Sequence, residues 1–270
     1  MIKGHKNELG IELFLVADRQ EFLKHNEDLK KTQQYLISLA YHLHQIYYSQ
    51  LNIKIFLVGI EIWNKENKVP ISYNSSIALR DFMRWSSTEL LPRKHYDYAQ
   101  LISGVSFSEY SLGETYLAKM CTGDMSGGVV KDTKLGSRKV ANYVTHEIGH
   151  NLGMPHDDKH SHCPAGQGTC LMSRYSRLWE IPMFSDSSKN HLNRFLTDKN
   201  KDISCLLDQP DNWIYLGRAL ENDSILNYRI GMLLLGFLLL LISAGLIVLI
   251  AFHKSELENK TRPKMVGCNV

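Results

Sequence analysis

The chain reads as an α/β protein, a mixed and mostly parallel sheet flanked by helices, on two observations. Strand-like and helix-like segments alternate in the order strand, helix, strand, helix, several short strands, helix. Such alternation suits crossover connections, which set strands side by side in parallel and lay helices on the sheet faces. The second observation is size: 270 residues, 44% of them hydrophobic, leave room for one substantial core plus extensions. A formal net charge of +3 with scattered basic residues provides no block suited to nucleic acid, so that class of partner is excluded.

Residues 1–8 are polar, without an apolar run, and are expected to be a leader that is not a signal peptide. Residues 11–18, IELFLVAD, read as a buried strand bounded by a charge. Between 28 and 48, Leu29, Tyr35, Leu36, Leu39, Leu43, Ile46 and Tyr47 recur at helical spacing and predict an amphipathic helix. LNIKIFLVGIEIW, at 51–63, is rich in β-branched residues and predicts a long strand. A turn-like NKENKVP precedes a helix expected over 75–91, where Ile77, Leu79, Phe82, Met83, Trp85 and Leu90 mark the apolar face and Pro92 follows. Short strands are expected at 98–104, 112–118 and 127–131, and a further helix at 137–152. The text at 157–170 is polar and loop-like, one more helix is expected over 187–197, and the domain is expected to span 9–208.

Beyond it, residues 209–229 read as a stalk. Residues 230–252 carry no charge, and at about 1.5 Å per residue they are long enough to cross a bilayer core of about 30 Å. A buried core helix is the alternative, though soluble helices seldom run so long without a polar face. Lys254, Lys260, Arg262 and Lys264 follow the apolar run, against Arg218 and Arg229 before it. This bias predicts a cytosolic tail at 253–270 and an extracellular or lumenal main domain, with the lipid bilayer as a partner. Asn74 and Asn222 would then stand in glycosylation acceptor patterns.

The helix at 137–152 leads into HEIGHNLGMPHD, residues 146–157. His146 and His150 are four residues apart, one turn apart on the same helix face. Gly153 can adopt a left-handed conformation, end the helix and turn His156 towards the same point. Three imidazoles with an open fourth position predict a catalytic Zn²⁺ site, and Glu147 is placed to exchange a proton with water there. An ordinary helix with two surface histidines would satisfy HExxH alone; the third histidine and Gly153 argue against it. His160 and His162 read as solvated loop residues, and His42 and His44 as structural or exposed helix residues. The stretch 112–118 is a candidate edge strand for pairing with an extended peptide.

Cys121, Cys163, Cys170 and Cys205 lie within or near the motif region, while Cys268 stands apart. The count fits two disulfides in an oxidising compartment, or unpaired thiols in a reducing one.

The motif fits HExxHxxGxxH, and the chain resembles the adamalysin (reprolysin) branch of the metzincin metalloproteases, which includes the ADAMs. Asp157 is that branch's usual companion, and IELFLVAD, LNIKIFLVGIEIW, LLPRKHYDYAQLISG and TCLM extend the likeness over about 9–208. The resemblance implies a metzincin catalytic domain acting as a zinc metalloendopeptidase on protein or peptide substrates. It implies zinc ligation by His146, His150 and His156, catalysis by Glu147, and a supporting turn at Met172. It also implies a calcium site formed by Glu12, Asp97, the Cys205 carbonyl and Asp208, where the family usually has asparagine at the last position. Disulfides are implied between Cys121 and Cys205 and between Cys163 and Cys170, whereas Ser161 and Ser187 replace the halves of a third. No prodomain or disintegrin segment is recognisable in the chain, so thiol-based latency and integrin binding are not expected. With these losses, a catalytically weak, membrane-anchored adhesion or interaction protein is the alternative reading.

Overall fold

The structure, a computed structural model, describes residues 9–108, 111–158, 161, 163, 170–174, 183–214 and 216, with 245, 246, 249, 250 and 253 beyond them. The chain divides into two compact units, Met1–Ala219 and Leu220–Val270. Apart from those isolated positions, the expected membrane helix at 230–252 and tail at 253–270 lie outside the described residues, as do 1–8. Among the described residues no helix is long and apolar enough to cross a membrane.

Five strands form one sheet: β1 (Leu9–Ala17), β2 (Ile53–Ile62), β3 (Tyr98–Ser103), β4 (Gly113–Thr115) and β5 (Gly127–Lys131), in the order β2-β1-β3-β5-β4. All neighbouring pairs are parallel except β4 with β5, giving the expected mixed sheet. Every residue of β1 is buried, as a strand covered on both faces requires. Its Ile11, Leu13 and Leu15 join the core shared with α2 (Leu29–Leu51) and α4 (Ser137–Asn151). Phe14 and Val16 point the other way, into the cluster containing Phe82 and Trp85 of α3 (Ser75–Trp85).

The helices begin and end for local reasons. Asp28 caps α2 by accepting the Lys31 N–H, and Asn52, at φ 56°, closes it in the left-handed region. Asn74 caps α3 through the Ser76 and Ile77 N–H groups, and the chain continues from α3 as a π-type turn over Ser86–Leu90. A short helix absent from the sequence expectation, α1 (Arg19–Lys24), is capped by Asp18. The last helix is α5 (Asp186–Thr197).

The expected strand at 112–118 is cut to three residues, because the chain leaves the sheet to meet the end of α4. Ala118, at φ 56°, donates its N–H to the His150 carbonyl at 2.9 Å, and Met120 donates to Asn151 at 3.1 Å. Past residue 208 the chain returns to β2: Ile214 donates to the Leu57 carbonyl at 2.8 Å, and Trp213 meets the Phe56 ring edge-on.

Candidate metal centre

Helix α4 runs beneath the β5–β4 end of the sheet and is anchored along its buried side. The Tyr47 hydroxyl of α2 donates to the Thr145 carbonyl at 2.9 Å, one residue before the motif. Asn151, fully buried, ties the helix end to the neighbouring loop. Its Nδ2 donates to the carbonyls of Tyr116 and Met125, at 2.9 and 3.1 Å, and its Oδ1 accepts from Ser126 at 3.2 Å. Sequence reasoning passed over this residue; its signal was a polar side chain on the core side of an apolar stripe.

Gly153 sits at φ 84° just past the helix end, where its N–H meets the His150 carbonyl and Met154 N–H meets Gly149. This is the glycine-terminated helix end foreseen from the sequence. A Cβ at Gly153 would also press within 3.1 Å of the Phe195 ring of α5. The reversed chain brings His156 back, with its Nε2 3.2 Å from Nε2 of both His146 and His150.

The other ring nitrogens explain the orientation. His146 Nδ1 lies 2.6 Å from the Leu171 carbonyl, and His150 Nδ1 lies 2.7 Å from the Met154 carbonyl. A carbonyl only accepts, so both Nδ1 atoms carry protons and both Nε2 atoms present lone pairs to the centre. Burial lowers the pKa of all three imidazoles, to about 3 for His146 and about 4 for His150, keeping them neutral. Ligands about 2.0–2.1 Å from a tetrahedral zinc stand roughly 3.3 Å apart, so the spacing found here fits that ion.

Glu147 is buried on the same helix, its carboxyl pushed up to about 8 by desolvation first and by Glu114 second. It lies against β4: a Cβ on Gly113 would come within 2.9 Å of its Oε1, so only glycine leaves the carboxylate its space. Glu114, the next residue of β4, is held by the Ser75 and Ser76 hydroxyls.

Met172 is fully buried beneath α4, and a Cβ on Gly149 would reach within 2.6 Å of its sulfur. Asp157 fixes the exit of the motif. Its N–H donates to the Met172 carbonyl at 2.7 Å, and its Oδ1 accepts from Ser185 and Ser188, at 2.5 and 3.1 Å. Ser185 is the N-cap of α5, so that helix is tied to the motif turn. Disulfides join Cys121 to Cys205 and Cys163 to Cys170.

Comparison with known proteins agrees with this geometry. The description "Reprolysin (M12B) family zinc metalloprotease" matches residues 10–210. The chain belongs to the reprolysin family. The reprolysin domain is 40% identical over 206 residues to disintegrin and metalloproteinase domain-containing protein 12 of Mus musculus, covering 74% of this chain and 22% of that protein. It is 35% identical over 200 residues to zinc metalloproteinase-disintegrin-like brevilysin H2a of Gloydius brevicauda, covering 74% of this chain and 46% of the relative. The matched region thus spans less than half the length of either relative.

The expected calcium residues also come together in part: Glu12, within β1, donates its N–H to Oδ2 of Asp97, just before β3, at 2.7 Å. Asp97 Oδ1 is buried without a hydrogen-bond partner, and the group is pushed up to about 8 by burial, then by Glu12 and Asp208. Glu12 Oε2 also pairs with His95 at 3.0 Å. His44 accepts the Ile55 N–H and stacks on Tyr48, a structural role; His160 and His162 lie outside the described residues.

Proposed function

We propose that this reprolysin domain hydrolyses peptide bonds in protein substrates, with His146, His150 and His156 holding zinc and Glu147 moving the proton. The observation that carries the reading is the convergence of three Nε2 atoms, each 3.2 Å from a neighbour, one residue along the helix from a buried carboxylate. Zinc bound there supplies a Lewis acid that polarises the peptide carbonyl and lowers the pKa of water to about 7.

The chain's own residues do the rest. Glu147 accepts the proton of the attacking water and delivers it to the departing amine. The carbonyls of Leu171 and Met154 hold the imidazoles in the tautomer that ligates. Met172 supports the helix from below, where Gly149 leaves room for its sulfur. Strand β4 ends the sheet beside Glu147, and an extended substrate adding to that edge would pass its backbone over the histidines. The catalytically weak alternative rests on the replaced third disulfide and the unrecognised companion segments, whereas all three ligands and the base are present.

Calcium is part of the same proposal, with Glu12, Asp97, Asp208 and the Cys205 carbonyl as ligands. A buried Asp97 oxygen without a donor, crowded by two further carboxylates, fits a hard cation. The uncharged run at 230–252 supports action close to a membrane, and glycan attached at Asn74 in cells would place the domain on the lumenal or extracellular side.

The deciding experiment follows cleavage of a broad peptide library by the full chain with zinc, beside Glu147→Gln. Zinc-dependent cleavage that the variant abolishes is expected. Folded, zinc-loaded chain that cuts nothing would overturn the reading.

A further inference from the structure

A second group of metal-ligating side chains, none of them used above, follows the C-terminal ends of β1 and β5. Glu21, His25 and Asp132 each bring one ligand atom to within 4.8 Å of the others. Glu21 and His25 are four residues apart at the end of α1, and Asp132 follows directly on β5. Nε2 of His25 stands 3.0 Å from Glu21 Oε1, a spacing like that of the histidine nitrogens.

The glutamate points to a ligand. Its side chain is fully buried, and Oε2 accepts no hydrogen bond there, only the ion pair with the Lys24 ammonium. The nearby Lys24 ammonium gives its short contact, 2.7 Å, to the Asp132 carbonyl and stays 3.5 Å from Oε2. With the ammonium drawn towards the Asp132 carbonyl, this buried oxygen is free to take a closer cation. Asp132 is oriented separately, since its Oδ1 accepts the Lys134 N–H at 2.6 Å. The buried Tyr35 hydroxyl faces the same carboxylates. Asp132 also lines an open cavity of about 660 Å³, together with Lys24, Lys131 and Lys134.

From this juxtaposition we infer a second zinc site, with Glu21, His25 and Asp132 as its ligands. One imidazole and two carboxylates form a nitrogen–oxygen set that suits zinc better than calcium or magnesium. The ion would clip α1 to the loop that runs from β5 into α4, and so hold the start of the motif helix. Its role is structural, separate from the chemistry at Glu147.

The test is zinc content per chain, measured by mass spectrometry after equilibration with buffered zinc and desalting, on the full chain. Two zincs are expected for the parent. One should remain in the double variant His150→Ala, His156→Ala, and one in His25→Ala. Asp132→Asn, which keeps the acceptor for Lys134, should match His25→Ala and decides the matter if that variant does not fold. Cobalt substitution of the histidine double variant should give a d–d absorption that Asp132→Asn removes. A parent with a single zinc, lost in the histidine double variant and kept in Asp132→Asn, would overturn the inference. A single zinc kept in the histidine double variant and lost in Asp132→Asn would uphold it while refuting the motif site.

Discussion

The histidine trio and the Glu12–Asp97 corner both gather side chains that ligate metals, but different forces hold them without an ion. The trio consists of neutral donors. Two of its imidazoles are pinned by backbone carbonyls and kept uncharged by burial, and desolvation lowers the pKa of the third. Neutral groups converge at little electrostatic cost, so the backbone can preform the site. The corner consists of carboxylates. Asp97 keeps one buried oxygen without a donor, and Glu12 and Asp208 disfavour its charge. Like charges in a low dielectric need a proton or a cation between them. The first site should therefore keep its shape without metal, whereas the second would be completed only by the proposed ion.

The largest expected effect tests the trio's chemistry apart from its shape. Glu147→Gln should lower kcat about 10²–10⁴-fold while zinc content stays that of the parent, measured by steady-state cleavage and metal analysis. Loss of zinc in this variant would mean that Glu147 helps hold the ion, contrary to a site preformed by carbonyls. At the corner, calcium at a hundredfold its Kd should raise stability by about 2.7 kcal/mol, read as a rise in Tm. Asp97→Asn should abolish that rise and leave the calcium-free protein as stable or more so, because it replaces a carboxyl whose ionisation burial and two neighbouring carboxylates disfavour. A less stable calcium-free variant would show that the Asp97 carboxylate serves the fold itself.

Much of this contrast was legible in the sequence, for physical reasons. The trio is local: a four-residue repeat on a helix and a glycine that reverses the chain put all three histidines within eleven residues. The parallel strands were legible because a doubly covered strand such as β1 must be apolar throughout. Tertiary hydrogen bonds were not legible. The early end of β4 depends on Ala118 and Met120 turning to the carbonyls of α4, which no spacing in 112–118 encodes. Asn151 and the Glu21–His25–Asp132 group join residues far apart in sequence, and α1 is too short to show a periodicity.

Asp157→Ala tests whether the turn after the motif holds His156 in place. The Ser185 and Ser188 hydroxyls would lose their acceptor, and stability should fall by roughly 1–3 kcal/mol in a denaturant titration. Zinc affinity should fall with it, because the start of α5 and the motif exit are joined through this carboxylate. Unchanged zinc affinity would show that the His156 backbone is fixed by Gly153 and Met154 alone.

The smallest effect is expected from Met172→Leu, and it bears most directly on what preforms the trio. The swap nearly conserves volume, so stability should change by less than about 1.5 kcal/mol. What orients His146 is the carbonyl of Leu171, and what receives the Asp157 N–H is the Met172 carbonyl; both belong to the backbone and survive the change. Leucine's branched end must still fit under Gly149, where the methionine sulfur now leaves no room for a Cβ. Zinc stoichiometry and affinity should therefore match the parent. A clear fall in zinc affinity with the fold intact would show that the flexible thioether sets the height of α4 over the turn, making the side chain rather than the carbonyls the element that preforms the neutral site.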